Sequence, residues 1–140
     1  MRVIDFDPDA VIPIVNVKVR GPAASYRARL VFDTGCGLTQ LNTDVVEFIG
    51  YSAAQGEQVI RISGATGEAQ QGYSISVAGL SLFGRRFRNV LVGAMDFEHL
   101  GRQRIDGLLG WDVIKKLRIE LDGPRGRLVV YSKNEKTPLA

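Results

Sequence analysis

At 140 residues the chain is one domain long, with apolar content of 45% and charged content of 24%, as in ordinary globular proteins. Sixteen glycines against one Trp and two Met imply many turns and a β-rich chain rather than a helical bundle. One cysteine and one histidine exclude a disulfide framework, a thiolate metal cluster and a His-rich zinc site, and a net charge of +3 is too mild to imply a nucleic-acid binder.

Met1 to Ala10 carries three aspartates and no apolar run of signal-peptide length. No later run is long enough to span a bilayer, so the chain reads as soluble and cytoplasmic, with no membrane segment. Val11 to Arg20 is the first predicted strand, with Val15, Val17 and Val19 alternating against Asn16, Lys18 and Arg20. Gly21-Pro22 ends it, and Ser25 to Phe32 returns as a second strand with Arg27 and Arg29 outward. A glycine-rich turn from Asp33 to Gly37 leads into a short apolar strand, Leu38 to Leu41. Thr43-Asp44 then caps a brief helix through Ile49, with Val45, Val46 and Ile49 on one stripe and Gly50 closing it.

Gln58 to Ile62 and Glu68 to Val77 form a hairpin around Ser63-Gly64-Ala65-Thr66-Gly67, a tip with almost no side chains. Leu80 to Phe83 and Phe87 to Val92 pair across Gly84-Arg85, and Ala94 to Arg104, containing His99, reads as loop. Ile105 to Gly110 is an apolar strand broken by Gly107 and Gly110. Trp111 to Leu117 makes one or two helical turns, and Arg118 to Leu121 pairs with Arg127 to Tyr131 across a Gly- and Pro-containing turn. The fold class is therefore all-β, a mostly antiparallel, barrel-like sheet with one or two short helices. Residues 1–131 form a single domain, and 132–140 a polar, flexible C-terminal tail.

The chemistry concentrates at Leu30-Val31-Phe32-Asp33-Thr34-Gly35. An apolar run delivers one carboxylate into a turn, and burying that charge costs free energy unless it is hydrogen-bonded, shared or used. On these residues alone, a turn-capping Asp33 and a functional Asp33 both stand. Asp106-Gly107 and Asp122-Gly123 sit at turn-like positions and read as structural. Arg85, Arg86, Arg88, Arg102 and Arg104 read as solvated edge protection in preference to a patch for an acidic partner.

The order of three pieces resembles the retropepsin-like aspartic proteases, bacterial and cellular branch, from about Ile12 to Tyr131. These are the hydrophobic-hydrophobic-Asp33-Thr34-Gly35 run, the glycine hairpin, and Leu108-Leu109-Gly110 followed by a short helix. The resemblance implies a closed barrel with a flap hairpin and a psi loop. It makes Asp33 the catalytic group, Thr34 a brace to a partner's loop, and Gly35 the space for a substrate backbone. The implied substrate-binding positions are Gly37 and the flap tip Gly64, Ala65, Thr66 and Gly67. Leu109 and Gly110 thread beside the catalytic turn, and Asp112 takes the place of a polar residue that opens the helix.

With a single Asp-Thr-Gly, the second Asp33 has to come from another copy, so a homodimer with its site on the two-fold axis is implied. The implied activity is aspartic endopeptidase, with a protein or peptide substrate and no metal or cofactor. Two departures bear on it. The second position after Gly35 usually carries Asp or Ser, and here it is Gly37. The viral enzymes place Arg where this chain has Trp111, so their dimer brace is not expected here. Cys36 replaces a small Ala or Ser and reads as an inert, buried thiol. The alternative is a non-catalytic module of the same fold that dimerises or binds peptides. A nucleic-acid dock would need clustered cations and stacking aromatics, whereas the arginines look scattered.

Overall fold

A computed structural model describes residues 1–63, 69–96 and 104–136. The expected hairpin tip Gly64–Gly67, together with His99 and Arg102, lies outside these residues. The strands run in chain order as β1 (Arg2–Asp5), β2 (Ile14–Arg20), β3 (Ser25–Phe32), β4 (Gln40–Asn42), β5 (Gln58–Ser63), β6 (Ala69–Leu82), β7 (Arg85–Met95), β8 (Gly107–Leu109), β9 (Arg118–Asp122) and β10 (Arg127–Tyr131). Helix α1 (Thr43–Phe48) follows β4, a single 3-10 turn covers Ala53–Gln55, and helix α2 (Trp111–Ile114) follows β8.

Seven strands pair in the order β2-β3-β8-β4-β7-β6-β5, and a further pairing of β2 with β6 closes six of them into a barrel. Alternation drives this closure. Val15, Val17 and Val19 point inward and are at most 1% exposed, while Asn16 and Lys18 between them face outward. Ala28, Leu30, Leu41, Leu80 and Leu109 meet them from the other strands, all fully buried. Burial of each such Val or Leu is worth about 1.5–3 kcal/mol. Pairing is antiparallel except where β8 lies parallel to β3 and β4 parallel to β7. β8 is thus threaded between β3 and β4.

Several elements differ from the sequence reading. β1 was not foreseen; its four residues pair antiparallel with β10 to make a separate three-stranded sheet with β9. β6 is one strand of 14 residues where two were expected. It continues because its partners change along its length, from β5 to β7 to β2. At the expected break, the Tyr51 hydroxyl takes the Ala78 N–H at 3.0 Å, opposite Asn89 with φ of 51°. The β6–β7 turn lies one residue earlier than expected, at Phe83-Gly84, and β7 extends through Ala94 and Met95 to pair with β4. Helix α1 is capped by Asn42, whose Oδ1 accepts the Asp44 N–H at 3.2 Å, instead of by Thr43-Asp44. Asn42 already has extended backbone at the end of β4, as an N-cap requires. The expected stripe of Val45, Val46 and Ile49 is buried.

Beyond β10, Glu135 accepts from the Met1 amino group at 2.8 Å and from the Ser132 N–H at 3.0 Å, tying residues 132–135 to the N-terminus. No helix among the described residues is long and apolar enough to cross a membrane.

Gly107 is the tightest point of the threading. Its φ is 152°, and a Cβ there would land on the Gln40 carbonyl oxygen of β4. Gly107→Ala is therefore expected to cost 3 kcal/mol or more, on the order of a severe overpacking defect, and thermal melting of the variant measures it.

Candidate active site

β3 ends at Phe32, whose N–H is held by the Pro13 carbonyl at 2.9 Å. The chain then leaves the sheet, yet Asp33 stays anchored because its N–H donates to the Leu109 carbonyl at 3.0 Å. The loop closes on itself through the Cys36 N–H to the Asp33 carbonyl at 3.3 Å. The Asp33 side chain is partly buried, and its Oδ1 accepts the Gly35 N–H at 2.9 Å. Oδ2 takes no hydrogen bond from the described residues of the same chain. One carboxylate oxygen is fixed and the other is presented.

The far side of the loop is fastened to α2. The Trp111 N–H donates to the Cys36 carbonyl at 2.6 Å. Thr39, fully buried, donates its hydroxyl to Asp112 Oδ1 at 2.7 Å and accepts the Gly110 N–H at 3.0 Å. Its backbone N–H reaches the same Asp112 oxygen at 3.0 Å. Gly110 is needed at this crossing, since a Cβ there would sit 2.7 Å from the Cys36 carbonyl oxygen. Asp112 is therefore committed to structure, its charge answered by two donors from one residue.

The structure brings Asp33, Leu109, Gly110 and Asp112 together around one loop. Thr34, Gly35 and Gly37 lie on its exposed rim. A Cβ at Gly37 would meet nothing within 4 Å, so that position opens to solvent in the single chain. The hairpin of β5 and β6 that carries Gly64, Ala65, Thr66 and Gly67 is paired from Gln58↔Ser74 to Ser63↔Ala69. Thr39 is the site residue that sequence reasoning missed. Its signal was a polar residue inside the apolar Leu38–Leu41 run, immediately after the glycine turn.

Asp106 is the other buried carboxylate near this region, 5% exposed. It lies beside β3 and not in a turn as the sequence suggested. Its Oδ2 accepts the Arg29 N–H at 2.8 Å, and its Oδ1 meets Arg104 Nε at 3.4 Å. Arg29 is four residues before Asp33 along an extended chain, about 13 Å at 3.3 Å per residue. Asp106 is thus a structural ion and no partner for Asp33. Among the described residues, no three His, Cys, Asp or Glu side chains converge as a metal site.

Cys36 donates its thiol to the Leu38 carbonyl at 3.0 Å and accepts from Gln40 Nε2 at 3.2 Å. Burial raises its pKa most; the Leu38 hydrogen bond opposes this, and the charges of Asp33 and Asp112 push further upward. The thiol is neutral in neutral solution and poorly nucleophilic.

Comparison with known proteins gives a consistent result. A family described as aspartyl protease matches residues 15–113. No curated protein matches the chain. Among solved structures, a retropepsin-like aspartic protease from Rickettsia conorii superposes with a TM-score of 0.63 at 16% identity, over 92% of this chain and 88% of that one. The EIAV protease in an inhibitor complex gives 0.61 at 18% identity, covering 81% of this chain and 93% of its own. The retroviral protease-like domain of Ddi1 from Leishmania major gives 0.58 at 15% identity, covering 91% and 92%. The fold is retropepsin-like.

Two outcomes are expected from these contacts. Thr39→Val, which keeps the shape and removes the hydroxyl, strands the Gly110 N–H and one Asp112 contact and destabilises by about 2 kcal/mol in denaturant titration. Thr39→Ser loses much less. For Cys36, a folded pKa above the unfolded value of about 8.5 means its stabilising effect is complete below that pH and declines as pH climbs through the folded value. Alkylation by iodoacetamide near neutral pH is expected to run several-fold slower in the folded chain than in the unfolded chain.

Proposed function

From the premise that the chain belongs to the aspartyl protease family, matched over residues 15–113, we propose that it is a homodimeric aspartic endopeptidase whose catalytic group is Asp33 of each copy. The observation that carries the reading is the presentation of Asp33. A partly buried carboxylate is held by one oxygen on the Gly35 N–H, at the end of a loop braced by Leu109, Thr39 and α2. A carboxylate that only capped its turn would have no need of that second brace.

In the dimer the two Asp33 loops meet on the axis. Carboxylates about 3 Å apart do not both ionise, so one holds a proton and its partner does not. The ionised group takes a proton from a water lying between them, and the water oxygen bonds to the peptide carbonyl carbon. The protonated group donates a hydrogen bond to the carbonyl oxygen as it gains charge. The tetrahedral centre then breaks its C–N bond, and the proton passes to the leaving amine. Thr34, exposed on the loop rim, braces the facing loop, and Gly35 and Gly37 leave its surface open to an extended peptide.

The β5–β6 hairpin serves as the flap, closing Gly64, Ala65, Thr66 and Gly67 over the substrate and excluding water. Trp111, 49% exposed beside Cys36, offers a second copy an apolar surface where the viral enzymes use an ion pair. That exchange suits the loss of a side chain at Gly37.

The test is cleavage of a peptide library in acidic and near-neutral buffer, paired with the mass at sedimentation equilibrium. Asp33→Asn is expected to lower cleavage by at least about a thousandfold while the two-chain mass is retained. Full activity in that variant, or a single-chain mass at every concentration, would sink the mechanism. A dimer with no cleavage by the parent chain would leave a peptide-binding module instead.

A further inference from the structure

The outer face of the barrel carries a feature that hydrolysis does not use. Register places Arg27 of β3 opposite Lys18 of β2, Lys18 opposite Ser81 of β6, and Ser81 opposite Arg86 of β7. Residues paired this way project from the same face, so three cations form one row across four strands, about 14 Å long at 4.8 Å per strand. Arg85 follows the Phe83-Gly84 turn, and Arg2 of β1 lays its guanidinium against Gly84. These five cations line a cleft of about 700 Å³, and among the described residues no carboxylate lines it. None of the five belongs to an ion pair among the described residues.

Edge protection does not explain Lys18. Arg27 and Arg86 lie on stretches of β3 and β7 paired on one side only, whereas β2 at Lys18 is paired on both sides, to Arg27 of β3 and Ser81 of β6. Like charges directly opposite each other weaken a strand pair, and Lys18 faces Arg27 with no acid among the described residues lining the cleft to relieve it. The facing of Lys18 and Arg27 gives the strand pair no internal stabilisation.

We infer that the cleft binds a small ligand carrying two or more phosphate groups. Four of the five cations are arginines, whose planar forks grip oxyanions with two parallel hydrogen bonds. Ser25 and Ser81 add neutral hydroxyl donors. The size is that of a small-molecule site rather than an extended track. Each phosphate brings up to two charges, whereas an extended acidic peptide offers one carboxylate per about 6.6 Å on a given face, too sparse for five cations. A nucleic-acid strand is disfavoured because the cleft's two aromatics are engaged within the fold. Phe83 packs against the core, and Tyr26 meets Phe48 in an edge arrangement with 5.6 Å between centroids while Arg104 lies 5.5 Å from its ring centre. Arg27 and Asp33 stand six residues apart on the extended chain, about 20 Å, so the cleft is separate from the catalytic loop and independent of its reading.

Isothermal titration calorimetry with inorganic tripolyphosphate tests this on the whole chain. A saturable single site per chain is expected, weakened about tenfold or more in the Lys18→Gln/Arg27→Gln/Arg86→Gln variant and by high salt. A control variant, Arg61→Gln/Lys115→Gln, is expected to bind as the parent does. The triple variant should melt no lower than the parent because opposed cations are removed; should it fail to fold, Arg27→Gln alone serves, with a several-fold loss. Co-sedimentation with phosphatidylcholine vesicles containing phosphatidylinositol bisphosphate separates the sources. Capture that tripolyphosphate competes away points to a lipid headgroup, and binding of tripolyphosphate without capture points to a free phosphate ligand. Absence of saturable binding, an equal loss in the control, or a poly-glutamate of matched charge binding as tightly would overturn the inference.

Discussion

The structure around Asp33 depends on one buried hydroxyl. Thr39 accepts the Gly110 N–H and donates to Asp112, so a single side chain couples the exit of the Asp33 loop, the end of β8 and the first turn of α2. The Thr39 hydroxyl and the Gly110 N–H are withdrawn from water, and leaving either unpaired would cost about 1–3 kcal/mol. Asp112 sits in the first turn of a very short helix, where its negative charge also suits the exposed N–H groups. The result is a loop whose backbone is pinned at Asp33, Cys36 and Thr39 while the Asp33 carboxylate remains at the surface.

The carboxylates divide along this line. Asp112 and Asp106 are consumed by backbone and hydroxyl donors, and each locks a strand crossing. Among the described residues Asp33 differs in taking a single hydrogen bond, from the Gly35 N–H of its own loop, where Asp106 and Asp112 each take two. The cations divide in the same way. Arg104 and Arg125 meet acids, whereas the row through Lys18, Arg27 and Arg86 does not.

Most of the strand pattern was legible because alternation is a local property. Val15, Val17 and Val19 announce an inward face regardless of what they pack against, and β3 runs from Ser25 to Phe32 as its residues suggest. β1 was not legible, because four residues with one half-buried Ile have no pattern until β10 offers a ladder. The continuity of β6 past Ala78 was hidden for the same reason: a hydroxyl from Tyr51, 27 positions earlier in the chain, takes the N–H that would otherwise go unpaired. The Asn42 cap was missed because Thr43 and Asp44 are equally good caps by type, and only the backbone at the end of β4 chooses between them.

By itself the sequence determined the β-rich class, the Asp33-Thr34-Gly35 turn behind an apolar strand, and the apolar-apolar-glycine strand that returns near the end. These follow from side-chain periodicity and from the few residue types that tolerate a tight turn. Tertiary structure decided which polar groups answer which. Thr39 became the brace because threading sets Gly110 and Asp112 beside it, 71 and 73 positions away. Arginines that look scattered along the chain became a row because barrel register aligns β2, β3, β6 and β7. Hydrogen bonds and charge act over a few ångströms, and distance along the chain carries no information about them until the sheet is closed.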